Sequence, residues 1–332
     1  MKEVAMKESY SAANVFPAKL LHTDVLTEDG RIKPIHIQLS PTNKCTLNCP
    51  FCSCSARDKK IRMPYQKIMR IMKSAKRCGC LAVTITGGGE PLCHPKIAKI
   101  VKNIDKLGIK IGLVTNGTLV YKFGEDFWKH ITWCRISSGD HRAWTLTYAL
   151  SLLKAVKAGR NVDWAFSHVL SKNPNYELLE EVINFANNNN FTHVRIVSDL
   201  LDVDNVPDMD TVKRELNKKG IKDDLVIYQG RKKFKQGRKV CLISLLKPVI
   251  GTNGRLYPCC GTQYAQANPS RDFVSKIGDK DIMSMGDATS RLGKNFRHQR
   301  HFDGSVCARC YYDDYNEALK ILTSKIKHKE FV

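Results

Sequence analysis

The chain reads as an α/β protein built on a parallel sheet, and three observations predict it. Apolar strand-like runs alternate with amphipathic helical patterns, the strand runs recur at intervals of roughly thirty residues, and glycine-rich or polar turns close most of them. Right-handed crossovers between parallel strands need a helix at each connection, and the pattern supplies one. The strand runs are 35–39, 81–86, 110–114, 132–136, 163–170 and 193–197. Helical patterns fall at 65–76, 94–107, 142–158 and 176–188, and a short stretch near 125–129 fills the third connection. Chemistry in such sheets sits at the carboxyl ends of the strands. There lie a cysteine-bearing loop after the first strand, Gly87-Gly88-Gly89-Glu90-Pro91 after the second, Thr115-Asn116-Gly117-Thr118 after the third and Ser137-Ser138-Gly139-Asp140 after the fourth.

Composition bounds the class. A chain of 332 residues can bury one large or two modest cores. Its 13 cysteines are an odd number in a chain too long for a disulfide mini-scaffold, and several stand at metal-like spacings, which fits a reducing compartment. Met1-Lys2-Glu3-Val4 opens no apolar signal segment, and no apolar run reaches the roughly eighteen residues a membrane span needs. The expectation is a cytoplasmic protein.

The most informative cysteines are Cys45, Cys49 and Cys52, spaced C-x(3)-C-x(2)-C in one loop. A [4Fe-4S] cluster is ordinarily held by four thiolates, so three leave one iron open to a small molecule. A structural zinc or a disulfide framework is the competing reading, but zinc wants a fourth local ligand and more often C-x(2)-C spacing. With Phe51 between the last two cysteines and the strand 35–39 just ahead, the loop resembles the radical S-adenosylmethionine superfamily over about residues 35–200. The resemblance implies a partial (β/α)6 barrel. It also implies an open iron that chelates the methionine end of S-adenosylmethionine, and electron transfer that cleaves it to a 5'-deoxyadenosyl radical able to abstract a hydrogen from the substrate.

Consecutive glycines let backbone come close to a ligand or take positive φ, and Glu90 can accept hydrogen bonds from a cationic amine. A generic βα turn would explain the same glycines. One strand after the cysteine loop, Gly88-Gly89-Glu90 matches the family's GGE motif, which by resemblance contacts the methionine amino group. The same resemblance puts Phe51, Asn116, Ser137 and Arg195 at the cofactor, with ordinary strand-end polarity as the alternative for the last three.

A second pattern, Cys241, Gly254, Cys259 and Cys307-Ala308-Arg309-Cys310, assembles four thiolates, enough to saturate a cubane. A four-cysteine zinc ribbon uses the same ligands. The arrangement C-x(12)-G-x(4)-C followed by C-x(2)-C resembles the twitch form of the SPASM accessory domain, which implies one auxiliary [4Fe-4S] cluster. Cys54 and Cys260 could give a hydrogen atom to a substrate radical, and Cys260 could stand in as a ligand. Cys78, Cys80, Cys93 and Cys134 read as small buried hydrophobes. The expected organisation is an N-terminal extension at 1–34, the barrel at 35–229, and a basic linker with the SPASM/twitch-like domain at 230–332.

Lys plus Arg outnumber Asp plus Glu by 54 to 32, a net charge of +22 that attracts polyanions at long range. The excess is concentrated in Arg231, Lys232, Lys233, Lys235, Arg238 and Lys239 around Phe234, with more at 291–301 and 325–329. Basic residues beside a stacking ring suit a phosphate-contacting surface for DNA or RNA; a solvated basic linker reads the same way. Two substrate readings follow. One is a nucleic-acid base or nucleotide-linked group; the other is a peptide or small metabolite, as for SPASM/twitch maturases and dehydrogenases. Residues 1–33 look too short for a leader-binding domain, which favours the first. A non-catalytic iron-sulfur carrier is a third. The resemblance further implies an electron donor such as flavodoxin or ferredoxin, and no membrane.

Overall fold

The structure, a computed structural model, describes residues 32–55, 57–221, 224–230, 235–262, 284–292, 301–307 and 310–323. Arg231, Lys232, Lys233 and Phe234, most of the expected N-terminal extension, the basic stretch at 325–329 and most of that at 291–301 lie outside the described residues.

Strands and helices alternate as expected: β1 (His36–Leu39), α1 (Tyr65–Arg77), β2 (Ala82–Ile85), α2 (Ile97–Asp105), β3 (Lys110–Thr115), α3 (Glu125–Trp128), β4 (Trp133–Gly139), α4 (Leu146–Ala158), β5 (Asp163–Leu170), α5 (Tyr176–Asn188) and β6 (His193–Ser198). The chain continues through α6 (Met209–Lys218), β7 (Val226–Gln229), α7 (Ile243–Leu246), β8 (Val249–Ile250), β9 (Leu256–Tyr257), α8 (Ala288–Arg291) and α9 (Asp313–Thr323). They form one sheet in the order β7-β6-β5-β4-β3-β2-β1-β8-β9, parallel throughout except for the β8–β9 pair. This is the expected partial barrel with three strands added. β7 has four residues and β8 and β9 two each, too short for a periodicity to register. Because β8 pairs with β1 through Gln38↔Val249 and Leu39↔Ile250, the sheet crosses the boundary expected near residue 230.

Three boundaries move. β4 extends to Gly139, so Ser137 lies inside that strand rather than after it. The helix expected at 94–107 begins only at Ile97, because Pro91–Cys93 forms a 3-10 turn first. The helix expected from 142 starts at Leu146, where the Thr145 hydroxyl accepts the Tyr148 N–H at 3.2 Å and caps it.

Alternation along each strand sorts the residues between two faces. Ile111 and Leu113, Cys134 and Ile136, Trp164 and Phe166, and Val194 and Ile196 all belong to the main apolar core. α1 covers that core with Ile68, Ile71 and Met72, each fully buried and worth on the order of 2 kcal/mol against exposure. The alternate positions point the other way, and many of them are polar or small: Thr84, Gly112, Arg135, Ser167, His193 and Arg195, with Trp133 among them. A parallel sheet packed on both faces would be apolar at both sets of positions. The polar set is the signature of a lumen built to hold something polar.

The C-terminal segment is braced against this sheet. α7 and α9 bring Ile243, Leu246, Tyr315 and Leu319 onto Ile32 and Ile35 in a second small core. The described part of the expected basic linker is tied to the same module. Lys235 pairs with Asp313 at 3.0 Å and Asp314 at 3.4 Å, and Arg238 reaches both Asp313 (Nη2–Oδ2, 3.0 Å) and Glu317. Two of the six basic side chains expected to contact phosphate are therefore engaged with carboxylates of α9.

Candidate active site

The cysteine loop follows β1 and is fastened at its base before it reaches its sulfurs. The Asn43 N–H donates to the Ile61 carbonyl at 3.0 Å, its side-chain amide donates to Asp58 O at 2.9 Å, and its side-chain oxygen accepts from Thr252 at 2.8 Å. Arg57 donates through Nε to Asn43 O at 2.9 Å and through Nη1 to Cys52 Sγ at 3.3 Å and Cys54 O at 2.6 Å. The Cys45 sulfur accepts from Leu47 N at 3.5 Å and lies 3.7 Å from Asn116 Nδ2. N–H groups aimed at sulfur stabilise thiolates, the form in which cysteine binds metal. Hydrogen bonding from the Cys54 thiol and from Arg57 brings the Cys52 thiol down to about 5, against burial. Burial pushes Cys49 up, Arg142 opposes this, and the neighbouring Cys52 and Cys45 add to it.

These residues fit a three-thiolate cluster. Cys45, Cys49 and Cys52 are free, only partly buried and within electrostatic reach of one another. Among the described residues no three His, Cys, Asp or Glu side chains gather as ligands of a single metal ion. A cubane distributes its thiolates over separate irons and makes no such demand.

The β2 loop is pressed against the cysteine loop. Gly89 N donates to Thr42 O at 3.0 Å and Glu90 N to Lys44 O at 2.8 Å. None of Gly87, Gly88 and Gly89 has positive φ, so close approach, not backbone conformation, is what these glycines serve. Glu90 is only 2% exposed; its Oε1 accepts from Leu92 N (3.0 Å) and the Thr115 hydroxyl (2.7 Å), and its Oε2 from Asn116 N (2.6 Å). Burial raises its pKa, and these three donors oppose the rise. The carboxylate therefore braces the turns after β2 and β3, with one acceptor site left for an ammonium group. Glu90→Gln sets an amide N–H against one of three donors. We expect stability to fall by about 1–3 kcal/mol and S-adenosylmethionine affinity to fall with it. Thermal unfolding and equilibrium binding measured together check this, and unchanged values in both would remove Glu90 from the site.

Phe51 stands against Gly139 and meets the His141 ring edge-on at 4.5 Å, which lays the cysteine loop across to the end of β4. The turn after β4 also supplies Arg142, which sequence reasoning missed. Its guanidinium donates to the Ser137 carbonyl and to Asn116 O at 2.8 Å, and its charge acts on Cys49. Asp140 fixes that turn, accepting from Ser171 N at 2.6 Å and pairing with the buried His168 at 2.9 Å. Asn116 faces Cys45 and Thr46, while Arg195, three strands away on β6, donates to Ser167 at 3.0 Å, so the structure does not bring these two together. Cys54 is turned toward Cys52, and Cys260 is exposed beside the Tyr312 hydroxyl at 3.5 Å.

The second cysteine set has its own anchors. Cys241 is anchored through its N–H to Phe302 O and Cys310 through its N–H to Lys235 O. Burial pushes Cys241 up to about 11 and Cys307 up to about 12, and Cys259 is raised by burial, by its neighbour Cys260 and by both of those thiols. Half-buried thiols that raise one another by their charge fit a metal centre that absorbs the negative charge.

Residues 39–137 match the family model of the Radical SAM superfamily. By class, then, this stretch is a radical SAM domain, and the cofactors of such a domain are a [4Fe-4S] cluster and S-adenosylmethionine. Over 92 residues it is 34% identical to a probable GTP 3',8-cyclase of Pyrococcus abyssi, covering 27% of this chain and 30% of that protein. It is 32% identical over 87 residues to a tungsten-containing aldehyde ferredoxin oxidoreductase cofactor-modifying protein of Pyrococcus furiosus, covering 26% and 24%. The matches thus span under a third of the length of these curated relatives. Among solved structures, Streptococcus suis SuiB bound to precursor peptide SuiA aligns with a TM-score of 0.54 at 16% identity over 84% of this chain and 77% of that one. anSMEcpe with bound AdoMet and Cp18Cys peptide aligns at 0.51 and 14%, over 90% and 85%. At those identities the likeness is one of fold, and it runs through the C-terminal module. No described helix is long and apolar enough to cross a membrane.

Proposed function

We propose that this protein abstracts a hydrogen atom from a nucleotide-type substrate held in the barrel lumen, below the Cys45, Cys49 and Cys52 loop. The polar lumen face of β4, β5 and β6 carries this reading. When bound, the cluster supplies the electron that cleaves S-adenosylmethionine and so starts the radical chemistry. The chain's own residues hold and orient. Arg57 donates to the Cys52 sulfur and Leu47 and Asn116 to that of Cys45, the Gly88-Gly89-Glu90 turn shapes the cofactor pocket, and Arg142 sets a positive charge beside Cys49. Cys241, Cys259, Cys307 and Cys310 would hold an auxiliary [4Fe-4S] cluster, and a reduced flavodoxin or ferredoxin is the donor the chemistry needs.

The nucleotide reading draws support from the cyclases that the domain resembles, whose name specifies GTP as substrate. A peptide substrate is the second reading, supported by the fold neighbours that were seen with peptides. The direct test is anaerobic incubation with nucleotides, DNA, RNA and peptides, scored by substrate-dependent 5'-deoxyadenosine. Stimulation by peptides alone would move the assignment to the second reading. A polymer substrate gains nothing from Lys235 and Arg238, which α9 already engages. Changing both to Ser should lower thermal stability yet leave the log-log salt dependence of any DNA or RNA binding within about one unit of the parent. A slope flattened by about two units would restore them as phosphate contacts.

A further inference from the structure

Two arginines stand in the lumen where the strand register puts them, and a lysine lies within reach of their charge. Arg135 of β4 stands level with Ala165 and His193, and Arg195 of β6 stands one step along, level with Ser167. The Arg135 guanidinium lies over the Trp133 ring, 5.1 Å from its centroid, and Trp133 in turn occupies the space that a Cβ at Gly112 would need. Arg195 donates to Ser167 at 3.0 Å. Lys247, just before β8, feels the charges of both arginines; its ammonium group stands 5.9 Å from the Tyr312 ring centroid. Arg135 and Lys247 are half-buried. Burial lowers both, Arg135 to about 10. His193, pushed down to about 3 by burial and by the two arginines, adds no fourth charge. The buried Nε of Arg135 has no hydrogen-bond partner among the described residues.

Bringing like charges together in a hollow costs free energy that an anion recovers. We infer that Arg135, Arg195 and Lys247 form the subsite for a phosphate group of the substrate, seated deep in the lumen so that the rest of the molecule points up toward the Cys45, Cys49 and Cys52 loop. Guanidinium forks match phosphate oxygens in pairs, and Lys247 adds a point charge. Trp133 holds the Arg135 plane in place. The inference rests on the nucleotide reading above and narrows it to substrates that carry their phosphate within the barrel, which excludes internal positions of a long duplex.

The test uses the reconstituted full chain and two small probes that share a ring, phenyl phosphate and benzoate, titrated anaerobically by calorimetry. Phenyl phosphate should bind at least about tenfold more tightly than benzoate. Arg135→Met and Lys247→Met, compared at iron content matched to the parent, should each weaken phenyl phosphate about tenfold or more, while Lys247→Arg stays within about threefold. Equal binding by parent and both methionine variants would overturn the subsite, and tighter binding of benzoate would overturn the phosphate assignment. Uncoupled S-adenosylmethionine cleavage by the parent is scored separately. A parent that cleaves but binds neither probe loses the subsite and keeps its radical chemistry; one that binds phenyl phosphate but never cleaves keeps the subsite and loses the chemistry.

Discussion

Replacing Cys45, Cys49 and Cys52 together by Ala should abolish 5'-deoxyadenosine formation, below about one part in a thousand of the parent, and remove about half the iron. Reconstituted parent should hold about eight irons and the triple variant about four, because one cubane takes four and the second thiolate set is untouched. The separation is expected from the structure, since the two sets hang on different supports. The first is fixed by Arg57, Asn43 and the turn after β2, and the second by the backbone of Lys235 and Phe302. Iron analysis with visible absorbance checks the count. Zinc in the Cys241, Cys259, Cys307 and Cys310 site would remove the auxiliary cluster and leave the first one standing. Retained deoxyadenosine formation in the triple variant would remove the three-cysteine assignment itself.

What was legible in the sequence was what a short stretch encodes by itself. C-x(3)-C-x(2)-C is held by chain connectivity, so its chemistry could be read without a fold, and all six expected strands start within a residue of where they are found. The supports of that chemistry could not. Arg57 acts on Cys52 from five residues away, through a loop conformation that no periodicity encodes. Arg142 reaches Asn116 only because β3 and β4 are neighbours in the sheet. Glu90 was found for its place in a motif, but its bonds to Thr115 and Asn116 make it a brace between turns as well. The lumen cations were within reach. Trp133, Arg135 and Ser137, and His193 and Arg195, alternate with buried apolar residues at period two, and alternation in a parallel strand signals two unlike faces. The basic run at 231–239 drew the attention instead, and its described members Lys235 and Arg238 serve the C-terminal module.

Gly89→Ala should be the most damaging single-methyl change in the barrel, and for a reason of space alone. A Cβ there would lie 2.2 Å from the Lys44 carbonyl oxygen and 2.4 Å from the Asn43 carbonyl carbon, both of them backbone atoms. Side chains at such distances rotate away, but backbone must shift. Here it cannot shift cheaply, since Asn43 is held at once by Ile61, Asp58, Thr252 and Arg57. Relief has to come from parting the two turns, which breaks the bonds from Gly89 N to Thr42 O and from Glu90 N to Lys44 O. Overpacking of this kind costs about 3 kcal/mol or more. The damage should be local, because the helix-facing core of the sheet lies on the other side of the strands. The variant should therefore keep its far-ultraviolet spectrum while losing most of the iron of the first site and nearly all S-adenosylmethionine cleavage. Gly124→Ala, where a Cβ meets nothing within 4 Å, is the matched control and should cost no more than about 1 kcal/mol. Parent-like iron content and cleavage in Gly89→Ala would show that the two turns are not packed as the structure has them, and Glu90 would lose its place beside the cysteine loop.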